Sequence, residues 1–199
     1  MAGYIGNYPT AVPLTSADLA DNIVTVDKLA TTLDLSSNTV TLPSGVGGKV
    51  LQVVQTVKTD TTTNNSQSFT DVTGMTVTIT PSSASNKILV MSDARFGITT
   101  NGTGLARIVR DGTAIYVGDS ASSRTLAFYG QLSDENRLAF NFVTNFLDSP
   151  NTTSAVIYKL QSLTQSSGVV MALNKTINDT DNNYDGRFAS SITVMEIAS

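Results

Sequence analysis

The chain has 199 residues, 40% hydrophobic and 14% charged, with a net charge of −4 and no Cys, His or Trp. Without His or Cys it has no imidazole base, no Ser-His or Cys-His nucleophile, no zinc site of the usual ligands and no disulfide. The acidic balance, with no Lys/Arg run, argues against nucleic acid as a partner, and no apolar run is long enough to insert into a membrane.

Ser, Thr and Asn fill roughly a third of the chain. Polar positions are therefore mostly short and uncharged. Thr is β-branched and suits an exposed strand face. Met1 to Gly6 shows neither the basic nor the apolar region of a signal peptide, which predicts synthesis in a cytoplasm.

Residues 1–47 read as an extended anchor arm and linker. Met1 to Pro13 has two prolines and no periodicity. Thr15 or Ser16 can cap a short helical turn with Asp18 near its positive end. Val26 to Ala30 looks like a second such turn. Each is too short to stand alone. Tyr4, Ile5, Tyr8, Leu14, Leu19, Ile23, Val26 and Leu29 are the apolar residues expected to bind a partner. A small strand is expected at Thr39–Leu42. Pro43-Ser44-Gly45 and Gly47-Gly48 then mark the boundary with a head at 48–199.

The head reads as strand after strand. Lys49–Thr59 alternates, with Leu51, Val53 and Val57 on one face. Met75–Ile79 alternates strictly and stops at Pro81. Lys87–Ile98 and Leu105–Arg110 follow. Asp111-Gly112 then predicts a type I′ hairpin into Ala114-Ile115-Tyr116. Arg124–Leu132, Arg137–Leu147, Thr153–Leu163, Val169–Asn174 and Arg187–Ile197 complete about ten strands. In Arg137–Leu147 the face Leu138, Phe140, Phe142, Thr144, Phe146 is expected to meet the core. Ala155–Tyr158 and Ser191–Ile197 are apolar on both faces, which predicts an outer sheet face packed on sister subunits. The fold class is all-β, a jelly-roll-like antiparallel sandwich with an N-terminal arm.

Candidate chemistry is sparse, and no catalytic residue or resident cofactor is expected. Asp181, Asn183, Asp185 and Gly186 match the front half of a calcium loop, yet Ile192 stands where the bidentate Glu belongs. Asp134-Glu135 is an acidic pair at a turn. Tyr116, Tyr129 and Tyr184 are candidates for stacking on a sugar. Asn101–Gly104 reads as a turn.

Leu14-Thr15-Ser16-Ala17-Asp18-Leu19-Ala20, continuing through Val24-Thr25 to Lys28-Leu29-Ala30, resembles a segment of bacteriophage fibre proteins, most closely those of marine phages and cyanophages. Gly47-Gly48-Lys49-Val50-Leu51-Gln52-Val53-Val54 is similar to the opening of their distal β domains. Thr78–Ser82, Asn86–Val90 and Arg110–Thr113 are similar to the heads that end such fibres. The resemblance implies a homotrimer carried on the virion, with its arm on a tail adaptor, a nozzle or the capsid. It also implies a head for attachment to a host glycan or envelope protein. No repetitive shaft is present, so it would be a short tail fibre or a capsid decoration. The family has no catalytic residues to carry over.

Overall fold

The computed structural model describes residues 49–199, which form eleven strands and, among the described residues, no helix. The arm, its eight partner-binding residues, the Thr39–Leu42 strand and the boundary near residue 48 lie outside the described residues.

The first sheet holds β1 (Val50–Lys58), β2 (Thr62–Asn64), β4 (Lys87–Ile98), β8 (Ala139–Asp148), β10 (Met171–Leu173) and β11 (Ser190–Ile197). The second holds β3 (Thr70–Ile79), β5 (Gly102–Arg110), β6 (Thr113–Ile115), β7 (Tyr129–Ser133) and β9 (Val156–Thr164). All pairings are antiparallel. β11 and β10 follow one another along one edge of β4, and β8 takes the other edge. The long rows of the first sheet therefore run β1, β11, β4, β8. In the second they run β3, β9, β5, with β6 and β7 sharing the last row. Along the long strands β1, β3, β4, β5, β8, β9 and β11 the chain changes sheet at every step. That is the strand order of a jelly roll, and it confirms the expected fold.

The core lies between the sheets, where period-two alternation sends every second side chain. β4 contributes Ile88, Val90, Ala94, Phe96 and Ile98, all buried. β8 contributes Phe142, flanked by half-buried Phe140 and Phe146, as its sequence predicts; Leu138, expected on the same face, precedes the strand and is exposed. Phe142 meets Phe96 edge-on at 5.1 Å and Tyr129 at 4.5 Å. Each such side chain adds about 1.5–3 kcal/mol of burial.

Several sequence expectations shift. Arg124–Ala127 does not extend β7. Ser122 has φ 54°, and Arg124 N–H bonds to Ala121 O at 3.1 Å, so a turn at 121–124 leads into irregular chain up to β7. Strand pairing ends before Tyr116, whose φ is 50°. Short β2 carries no apolar signal and was not predictable from pattern. At Asn101–Gly104 only Asn101, with φ 57°, is a turn residue. Gly102 and Gly104 belong to β5, where a Cβ on Gly104 would sit 2.6 Å from Met171 Sδ. The predicted hairpin is present: Asp111 and Gly112 have φ 49° and 85°.

Register defines two ends. At the near end the chain enters β1, beside the Thr80–Asn86 turn, the Asp111-Gly112 hairpin and the segment after Asp148. At the far end lie residues 59–69, 99–101, 134–138 and 165–189.

Candidate interaction surfaces

The face of β1 picked out by Leu51, Val53 and Val57 points away from the core. These three are 48%, 54% and 57% exposed, while Val54 and Lys58 turn inward. Register turns this one-strand pattern into a surface. Val53, Met195, Leu89 and Leu147 stand opposite one another across β1, β11, β4 and β8. The next rows are Gln55, Thr193, Met91, Asn145 and then Val57, Ser191, Asp93, Val143. Small Ser191 and Thr193 leave a hollow of about 250 Å³ between Met91 and Val143. Gln55 Nε2 donates to Thr193 Oγ1 at 2.8 Å. Asp93 pairs with Arg95 at 3.3 Å and leaves its Oδ1 buried without a donor.

The outer face of the second sheet exposes Leu132 and Ile157 at 60% and 38%, but its centre is polar. Asp71 accepts from Lys159 Nζ and from Gln161 Nε2, each at 2.7 Å. The bond from Lys159, then that from Gln161, holds the Asp71 carboxyl below its usual range. Arg107 Nε donates to Gln161 Oε1 at 2.9 Å, and its guanidinium lies 4.0 Å from the Phe69 ring. Such exposed pairs add about 0–1 kcal/mol each, and the face is well suited to water.

The far-end loops are fastened together. Asn136 Oδ1 accepts from Thr100 N–H at 2.7 Å. Its carbonyl accepts from Ile177 and Asn178 N–H at 2.9 and 3.1 Å. Asp134 and Glu135 flank it in the open, exposed and on a turn. The candidate calcium loop sits here too. Its Asp185 side chain is only 3% exposed and accepts from Thr180 N–H and Oγ1 and from Asn182 Nδ2, with Arg137 Nε at 3.7 Å. The Thr180 hydroxyl contributes most to holding its carboxyl low. Asp181 and Asn183 are exposed. Among the described residues no group of three or more carboxylates is placed to hold a metal ion.

The three tyrosines separate. Tyr129 packs into the core edge on Phe142. Tyr116 is 54% exposed and stacks flat on Phe146 at 4.4 Å, beside an open hollow of about 290 Å³. Tyr184 is 71% exposed at the far end, with the Arg137 guanidinium 5.8 Å from its ring.

Sequence reasoning missed the near-end Glu196. It is fully buried with no cationic partner among the described residues, yet Ser82 N–H, Ser82 Oγ and Asn86 Nδ2 bond its Oε1 at 2.7, 2.7 and 2.6 Å. Gln52 Nε2 bonds its Oε2 at 2.6 Å. Burial pushes the carboxyl up, but these donors prevail and hold it at about 2. The available signal was a lone Glu at an inward position of an apolar strand.

No protein-family model matches the sequence, and no curated protein is similar to it. The solved structures that are similar to it, at low identity, include two of viral origin. The T=1 particles derived from infectious bursal virus share 16% identity with a TM-score of 0.38, over 74% of this chain and 36% of that one. The structure of the infectious bursal disease virus Gx strain shares 14% with a TM-score of 0.39, over 81% and 42%. The chain spans less than half the length of either.

Proposed function

We propose that this chain is a non-catalytic structural protein of a virus particle, a short homotrimeric tail fibre. Residues 1–47 would anchor it to other virion proteins, and the sandwich would stand outward to meet the host surface. The observation that carries this reading is the polarity of the sandwich. The chain enters at the near end, and the longest loop, residues 174–189, is fastened at the far end to Asn136, which also holds Thr100. Such an arrangement would serve an anchor at one end and recognition at the other. The fibre-like segments at Leu14–Ala30 and Gly47–Val54 supply the virion part of the reading.

The same architecture would serve a capsid decoration protein, and the two readings differ only in where the arm docks. Purified particles whose digests contain peptides of this chain would be labelled with a gold-conjugated antibody against the head. Gold at the tail is the expected result. Gold over the shell would favour decoration. Absence of the chain from washed particles would overturn both.

A further inference from the structure

We infer that the outer face of the first sheet is the contact between copies of this chain. The inference deepens the proposal above and rests on its self-assembly part, not on its virion part. The apolar row Val53–Met195–Leu89–Leu147 spans all four long strands, and Leu51, Val57 and Val143 widen it. Four strands about 4.8 Å apart and roughly seven residues of about 3.4 Å give an outline of about 450 Å². Patches of about 300–600 Å² on a monomer are commonly interaction sites. That outline is about half of the roughly 800 Å² per partner of a standard interface.

A second copy is the occupant that the chemistry fits. The charges on the face are few: Asp93 and Arg95 pair with one another, and Lys87 at its near-end margin donates to Ser149 Oγ. Copies with a net charge of −4 repel in general, so they meet best on a locally neutral surface. The face also carries both protrusions and a hollow: Leu147 and Val53 stand out at 60% and 54% exposure, and the cavity of about 250 Å³ lies in the neighbouring rows, lined by Met91, Val143, Ser191 and Thr193. Exposed apolar side chains reach both margins, Leu51, Val53 and Val57 on β1 and Val143 and Leu147 on β8. A copy can therefore touch two neighbours at once, as closure of a ring requires. The other outer face exposes Leu132 and Ile157 too, but these stand at opposite ends of it, on either side of the satisfied Asp71–Lys159–Gln161–Arg107 network, and form no continuous apolar row.

The test uses the full-length chain. It has no cysteine, so Leu147→Cys introduces a unique thiol on this face, and Thr78→Cys places a control on the opposite one. Mass photometry should give a multiple of 20.9 kDa, and the thiol at position 147 should react with a maleimide at least about tenfold more slowly than the control. Adding Val53→Glu to Leu147→Glu should return the mass to one chain with unchanged circular dichroism. If that double variant unfolds, the labelling contrast still decides. A multimer whose position-147 thiol reacts as fast as the control would overturn the inference while leaving self-assembly intact. A single-chain mass for the parent protein would overturn both, and with a protected thiol would assign the face to residues 1–48 of the same chain. A mass of two chains with a protected thiol supports the face and removes the threefold reading.

Discussion

Replacing Glu196 by Gln keeps the shape of the side chain and removes its charge. The amide oxygen can take the place of Oε1 and keep the bonds from Ser82 N–H, Ser82 Oγ and Asn86 Nδ2. The amide nitrogen then faces Gln52 Nε2, donor against donor. Gln52 can turn over to accept, but it then gives up its bond to Thr80 O at 2.7 Å. One bond is lost, and the rest fall from charge-assisted to neutral strength. At about 1 kcal/mol for each step, partly offset by no longer burying a charge, the net cost is about 2–3 kcal/mol. For a domain of this size that lowers Tm by about 4–12 °C.

The pH dependence sharpens the test. The carboxyl is depressed from its ordinary 4.5 to about 2 in the fold, so its stabilisation is complete above about 4.5 and is lost as pH falls through about 2. That linkage amounts to at most about 3 kcal/mol. Thermal unfolding at fixed protein concentration, at pH 7, 4 and 2.5, should show a gap between parent and variant that is widest at pH 7 and narrows in acid. Equal Tm values at pH 7, or a gap that ignores pH, would refute the account.

Asn174 is fully buried with φ 63°; its Nδ2 donates to Lys58 O and Asp60 O at 2.8 and 3.0 Å, and its Oδ1 accepts from Ser190 Oγ at 2.6 Å. Asn174→Ala should cost about 2–4 kcal/mol in urea unfolding, because buried groups lose their partners and the left-handed backbone suits Ala poorly. Gly104→Ala should cost about 1–3 kcal/mol through the clash with Met171, and Met171→Ala in the same chain should recover part of what the added methyl takes.

Most of the architecture was legible because strands in a sandwich obey period two. Val77 and Ile79, Ile88 through Ile98, and Phe140 through Phe146 each point their apolar set inward. The Asp111-Gly112 turn was legible because positive φ at two successive residues selects that pair. What failed to show were features decided by tertiary neighbours. β2 owes its three paired residues to β10. Asn136 and Glu196 are chosen by donors that stand 36 and 110 positions away in sequence, as Thr100 and Asn86 do. No local window contains both ends of such a bond.

β1 carries the most instructive ambiguity. Alternation says that Leu51, Val53 and Val57 share a face, but it cannot say which face meets the core. The inward set here includes Gln52, Thr56 and Lys58, and each finds a specific partner: Glu196, Thr76 O and Asp60. The interior thus accepts polar groups on β1 because neighbouring elements satisfy them, and apolar groups are left outside. An edge strand that exposes its valines while burying its amide and amine would be poorly adapted to life as a monomer. The same arrangement is economical if Val53 and Leu147 are covered by another copy. Val53→Glu therefore separates the two cases: on a free surface it should change Tm by no more than about 1–2 °C, whereas on a covered one it should destabilise the multimer and leave the isolated fold intact.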